Sequence, residues 1–196
     1  MKKSVLIIAA VFVFGVANVA FAANDNDEDQ HNLSLRIDEI TLLDIEDGNG
    51  GSVKDFIFEI NPSDLVSEAG AAFNSTIELK DRNNREAFLQ YTALVANRKY
   101  VKAEITSGSL PNGFSLNVKA DEARNGKGKV GNEKNKYVKL TNSGEEIISN
   151  IGTSYTGTGG KRGHKLDYQL EIENNANIAK LSSGSFDITV TYTITE

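Results

Sequence analysis

Residues 184–196 read Gly184-Ser-Phe-Asp-Ile-Thr-Val-Thr-Tyr-Thr-Ile-Thr-Glu196, and apolar and polar side chains alternate without interruption from Phe186 to Thr195. Successive side chains of a β-strand point to opposite faces, so this pattern predicts a strand with one face on a core and one in water. The β-branched and aromatic residues of the stretch favour the same structure. Much of the remaining sequence is suited to pairing with such a strand.

Short alternating segments recur along the chain. They cover residues 33–37, 40–42, 56–60, 75–79, 89–95, 101–105, 114–120, 137–140 and 166–172. The turn Asn97-Arg-Lys99 separates two of these segments by a short spacing that predicts a β-hairpin. About ten strands with no regular alternation of strand and helix predict an all-β fold, a two-sheet antiparallel β-sandwich of the Ig-like or jelly-roll-like kind.

Two short helices are also predicted. Asn61-Pro-Ser-Asp64 offers an N-cap residue, a proline at the first helical position and an acidic residue in the first turn. Ser143-Gly-Glu-Glu146 matches a capping box, and Ile147, Ile148 and Ile151 then share one face of a helix. The sandwich is therefore expected to carry one or two short helices.

The first residues have the features of an export signal. Lys2 and Lys3 precede an apolar run that reaches Phe14, and Ala20-Phe-Ala22 is a small-x-small cleavage site. We expect residues 1–22 to be a signal peptide, residues 23–32 to form a flexible acidic arm, and residues 33–196 to form the sandwich domain. The mature protein is then secreted, to the periplasm, the outer surface or the extracellular space, and has no membrane span.

Composition argues against several classes of function. The formal net charge is -6, which disfavours nucleic acid as a partner because phosphate contacts need clustered lysine and arginine. The chain has no cysteine, and its two histidines, His31 and His164, lie far apart in the sequence. No nucleophile–base pattern or metal-ligand spacing is present, so we expect a protein that is not an enzyme and needs no cofactor or metal.

A glycine-rich stretch near residue 160 is a candidate binding site. It carries Tyr155, Lys161, Arg162 and His164 among six glycines or threonines. Loops at the ends of sandwich domains often bind ligands, and this loop combines an aromatic ring with positive charge. The residues predict a shallow site for an extracellular ligand, of which an anionic glycan is one class.

Two stretches resemble a known group of proteins. Gly184-Ser-Phe-Asp-Ile-Thr-Val-Thr-Tyr-Thr-Ile194 resembles the last strand of fimbrial-subunit-like and related secreted bacterial adhesin domains. The stretch from Ile151 to Leu170 is similar to secreted bacterial β-proteins of uncharacterised function. The resemblance implies a β-sandwich with a surface or filament role and carries over no catalytic residues. Many pilins have a cysteine pair that this chain lacks, which leaves the mode of assembly open.

These observations predict a secreted structural or adhesive surface protein, with itself or other surface subunits as partner. Leu33, Leu35 and Ile37 lie beside the acidic arm and can add a strand to the exposed sheet edge of another copy. Pairing within their own sheet is the favoured alternative, because most strands pair in that way. The alternative function is an extracellular glycan- or ligand-binding module that uses the glycine-rich stretch.

Overall fold

The computed structural model describes residues 30–53, 55–173, 178 and 181–196. The predicted signal peptide and all but the last three residues of the predicted arm lie outside these ranges. Within them the fold is all-β, with twelve antiparallel strands and one short helix arranged as a sandwich of two sheets, which confirms the predicted fold class. The described residues contain no helix with the length and apolar character that crossing a membrane requires.

In chain order the elements are β1 (Ile40–Asp47), α1 (Pro62–Leu65), β2 (Thr76–Leu79), β3 (Ala87–Leu94), β4 (Lys99–Ser107), β5 (Phe114–Ala120), β6 (Lys127–Gly128), β7 (Asn132–Glu133), β8 (Val138–Lys139), β9 (Glu145–Ile151), β10 (Ser154–Tyr155), β11 (His164–Ile172) and β12 (Thr189–Thr195).

The larger sheet is built around β3 and β11. Among the described residues it has eight strands, with the order β6-β10-β3-β11-β5-β8, and with β1 on β3 and β2 on β11. β1 pairs with β3 along its whole length, so β10 and β11 share the opposite edge of β3, end to end. β3 and β2 likewise share one edge of β11.

The smaller sheet has the order β12-β4-β9-β7 among the described residues. The turn before Lys99 therefore carries the chain from one sheet to the other, and the predicted hairpin of residues 89–95 and 101–105 is wrong. Both edges of β3 are already occupied, by β1 on one side and by β10 and β11 on the other. A short connection requires two consecutive strands to lie close together, but it does not require them to pair in the same sheet.

The core lies between the two sheets. Its fully buried members include Leu89 from β3, Val118 from β5, Val101 from β4 and Ile148 from β9. Across this core the hydroxyl groups of Tyr168 and Tyr192 lie 2.7 Å apart and form a hydrogen bond between β11 and β12. Burial raises the pKa of Tyr168 to about 12, so the hydroxyl stays protonated at any physiological pH.

One predicted helix is confirmed and the other is wrong. The first is α1, where the Asp64 carboxylate accepts a hydrogen bond of 2.8 Å from the backbone N–H of Asn61. The second is the strand β9, whose pairing with β4 shifts register twice and whose Asn150 has φ of +59°. β-bulges of this kind break the two-residue period, so three isoleucines at helical spacing all reach the core.

Two other predicted segments are shorter or less regular than expected. Residues 184–188 are not part of a strand, β12 begins at Thr189, and Phe186 is exposed. Residues 56–60 form a single bridge, between Phe58 and Asp81, rather than a ladder. Residues 30–39 contain neither helix nor strand, so the predicted pairing of residues 33–37 within their own sheet is not found.

Candidate functional site

The glycine-rich loop connects β10 and β11, the two strands that share one edge of β3. Thr156 donates its backbone N–H to the carbonyl oxygen of Tyr91, and β11 rejoins the edge of β3 with His164 opposite Leu89. Between these points residues 157–163 fold over the outer face, where Gln90 donates to the carbonyl oxygen of Gly159 at 2.9 Å. This cover leaves Gln90 only 4% exposed, on the face of β3 that points away from the core between the two sheets.

His164 is not part of a loop site, and this part of the prediction is wrong. Its side chain is fully buried and stacks on Tyr91, with ring centroids 5.6 Å apart. Nδ1 lies 2.8 Å from the carbonyl oxygen of Asp121, which can only accept, so Nδ1 carries a proton. Nε2 lies 2.9 Å from the Tyr91 hydroxyl. The histidine is the first residue of β11, and both of its ring nitrogens face polar atoms of the protein.

Because burial lowers the pKa of His164, we expect stability to fall as the pH decreases from about 6.5. The nearby charges of Glu133 and Glu122 and the bond to Asp121 act in the opposite direction, without reversing the shift. The unfolded chain takes up its proton near pH 6.5, whereas the folded chain resists protonation until a lower pH. Protons therefore favour the unfolded state throughout that interval.

The measurement is the melting temperature between pH 7.5 and 5 for the wild type and His164→Asn. The asparagine amide can replace Nδ1 as donor to Asp121 but does not titrate. The variant should melt lower at pH 7.5 and lose less stability on acidification. Equal pH slopes for the two proteins would contradict this assignment.

The other three predicted binding residues do not converge. Tyr155 is 51% exposed and lies opposite Thr92 on the outer face of the large sheet. Lys161 lies beside Glu86, with Nζ 3.9 Å from Oε2. The five steps of β3 between Ala87 and Thr92 correspond to about 17 Å, so Tyr155 and Lys161 cannot contact the same small ligand. Arg162 packs its aliphatic stem near Gly157 and is exposed.

Instead, the structure shows a pocket that sequence reasoning missed. The edge of β11 is paired with β3 up to Leu166 and with β2 from Tyr168 onward, and Asp167 lies at the gap between them. A pocket of about 200 Å³, here called the gap pocket, opens at this position. Its floor and rim are contributed by Phe56, Phe58, Tyr168, Glu86, Lys165 and Asp167. These residues come from three distant parts of the chain, so no local sequence pattern predicts that they lie together.

Asp81 fixes one wall of the gap pocket. Its side chain is fully buried and accepts hydrogen bonds from the backbone N–H groups of Ile57 and Asn83 and from the backbone and guanidinium of Arg85. The side-chain hydrogen bond from Arg85, together with those from the backbone N–H groups, outweighs the effect of burial and holds the pKa of Asp81 well below its usual value. The segment carrying Phe56 and Phe58 is therefore tied firmly to the loop between β2 and β3.

The predicted self-assembly residues are exposed to solvent. Leu33, Leu35 and Ile37 have exposures of 84%, 82% and 70%, which are high values for aliphatic side chains. The domain of residues 38–196 begins directly after Ile37, and its second residue, Glu39, accepts a hydrogen bond of 2.7 Å from the backbone N–H of Ala96. Lys99 forms ion pairs with both Glu39 and Glu196. Glu39 is thus fixed at the end of the domain where β12 finishes.

Among the described residues no group of three or more histidine, cysteine or carboxylate side chains is placed to hold a metal ion. Comparison with known proteins gives no match, whether to protein-family models, to curated protein sequences or to solved structures. The features of the described residues that bear on function are the exposed apolar residues Leu33, Leu35 and Ile37, the sheet edges and the gap pocket.

Proposed function

We propose that the protein is a secreted, non-enzymatic structural or adhesive surface protein whose copies associate by strand complementation. The observation that carries this proposal is the exposure of Leu33, Leu35 and Ile37, each above two thirds, in strict alternation with polar residues. Such a segment can form a half-buried strand when another copy supplies the edge of a sheet.

The outer edge of β12 is the acceptor that these residues fit. Among the described residues β12 pairs only with β4, so its other edge has unpaired backbone groups. Three apolar residues of β12, Val190, Tyr192 and Ile194, pack on the core yet remain only half-buried. A strand from a second copy would continue the small sheet there, with its own three alternating apolar side chains beside them.

Charge placed on the apolar face of the stretch tests this proposal. We expect the mature wild-type protein to form concentration-dependent oligomers in light scattering, and the double variant Leu33→Asp/Leu35→Asp to be monomeric, because each aspartate would have to be desolvated in the sheet. Asn32→Asp/Ser34→Asp adds the same charge on the opposite face and should retain association. A wild-type protein that stays monomeric at all concentrations, or a control that dissociates equally, would contradict strand complementation.

A second candidate function is an extracellular ligand-binding module. The observation in its favour is the gap pocket, which combines aromatic rings and ionisable groups in one concave site. Binding to an array of immobilised neutral and acidic glycans tests it directly. This function does not exclude the first, because an adhesive subunit both assembles and recognises a surface.

A further inference from the structure

The gap pocket is formed before any ligand arrives. Two hydrogen bonds join the loop between β2 and β3 to the segment that carries Phe56 and Phe58. The Ile57 N–H donates to Asp81 Oδ1 at 3.0 Å, and the Arg82 N–H donates to the Ile57 carbonyl oxygen at 2.7 Å. The Arg85 guanidinium also lies over the Phe56 ring, 5.3 Å from its centroid. A pocket held in this way needs little ordering when it binds, which favours even a small ligand.

Three aromatic rings provide an apolar surface in the pocket. Phe56 and Phe58 are parallel within 5°, with centroids 5.9 Å apart, and Tyr168 lies 5.7 Å from Phe58 at a tilt of 49°. The Tyr168 hydroxyl forms its hydrogen bond with Tyr192, so the Tyr168 ring lines the pocket without leaving a polar atom unpaired. Rings arranged in this way can pack against the apolar face of a flat or puckered ring.

The rim provides hydrogen-bond donors and acceptors side by side. The Lys165 ammonium lies 3.1 Å from Asp167 Oδ1 and 3.3 Å from Glu86 Oε1. Glu86, Lys165 and Asp167 are each between 24% and 38% exposed, so their remaining hydrogen-bonding capacity is open to a ligand. Burial opposes the charge on Lys165, but the two carboxylates outweigh it and raise its pKa, which keeps the ammonium a donor.

Charge and size restrict the kind of ligand. The pocket lining has three cationic groups, Lys80, Arg85 and Lys165, and three anionic groups, Asp81, Glu86 and Asp167. This balance disfavours a strongly charged ligand of either sign, whereas a purely apolar ligand would desolvate the rim without replacing its hydrogen bonds. The volume of about 200 Å³ is below the roughly 300 Å³ at which pockets for drug-sized ligands begin.

We propose that the gap pocket binds one neutral sugar ring of an extracellular glycan. The C–H face of the ring packs on Phe56 and Phe58, and adjacent hydroxyl groups donate to the Glu86 and Asp167 carboxylates while accepting from Lys165. The proposal rests on the second candidate function and assigns it a site and a ligand class. It replaces the anionic glycan and the Tyr155 site that the sequence favours.

The experiment compares the wild type with Glu86→Gln, Asp167→Asn and Glu173→Gln on an array of neutral, sulfated and uronic-acid glycans. The first two changes keep the side-chain shape but turn a charged acceptor into an amide. Glu173→Gln is the matched control, because Glu173 also pairs with a lysine, Lys139, but does not line the pocket. Melting temperatures of all four proteins show that each variant is folded.

We expect the wild type to bind neutral glycans with little dependence on salt, and Glu86→Gln and Asp167→Asn each to bind at least about tenfold more weakly. The control should bind like the wild type. Binding confined to acidic glycans, or unchanged binding by both pocket variants, would overturn the pocket assignment while leaving a ligand-binding function. A wild type that binds no glycan at all would overturn both, and the light-scattering result would be unaffected.

Discussion

Replacing Asp81 with alanine is expected to lower the free energy of unfolding by about 3–5 kcal/mol. The carboxylate is fully buried and accepts five hydrogen bonds from three residues, Ile57, Asn83 and Arg85. Alanine would leave those donors without an acceptor and the Arg85 cation, itself only 29% exposed, without its counter-ion.

The test of this expectation is urea unfolding, with Arg82→Ala as control. Arg82 forms an ion pair with Glu59 in the same region, but both side chains are about 60% exposed, so removing the pair should cost less than about 1 kcal/mol. Asp81→Ala should also weaken glycan binding, because it releases the segment that carries Phe56 and Phe58. A loss for Asp81→Ala no larger than that for Arg82→Ala would show that the Asp81 network does not hold this part of the fold.

Gly163→Ala is expected to destabilise the domain by about 3 kcal/mol or more, for two separate reasons. Gly163 has φ of +82°, a left-handed conformation that costs an alanine about 1–2 kcal/mol. In addition, a Cβ atom there would lie 2.2 Å from the carbonyl oxygen of Leu89, so the backbone would have to move. That movement would disturb the bridge between Gly163 and Arg124 and the entry of His164 into the core.

Gly159→Ala separates the two effects. Gly159 has φ of +88°, but nothing lies within 4 Å of the position of its Cβ atom. The substitution should therefore cost only the conformational part, about 1–2 kcal/mol. The melting temperature should fall clearly further for Gly163→Ala than for Gly159→Ala. Equal decreases in melting temperature would mean that the backbone near Leu89 can move at little cost, and that the close approach of Gly163 to Leu89 has no structural importance.

The sequence predicts the fold class well wherever a strand keeps its two-residue period. β5 and β11 are found almost at the residues that alternate, because each has one face on the core and one toward solvent. For β9 the sequence predicts a helix instead of a strand. The reason is that two register shifts and the left-handed conformation of Asn150 place Ile147, Ile148 and Ile151 all in the core. Local sequence does not show that a partner strand will permit a bulge.

The candidate site is much harder to predict than the fold. His164 follows a glycine-rich run and so suggests a loop residue, yet Gly163 returns the chain to the edge of β3 just before it. The gap pocket exists because β2 and β3 share one edge of β11 and leave a space between them. That arrangement is a property of sheet topology, and the alternating pattern of an individual strand does not indicate which strands will pair with it.

The pairing of β12 with β4 has a consequence for how the protein is made. Thr195 lies opposite Tyr100 and Thr189 opposite Ser107, so the two strands meet only after the whole intervening chain has been synthesised. Contacts between such distant residues form slowly, because the intervening loop must first be closed at an entropic cost. A nascent chain that has not yet reached residue 189 leaves one edge of β4 unpaired, while β9 is already available for the other edge. We therefore expect the small sheet to be completed only after synthesis has passed that point.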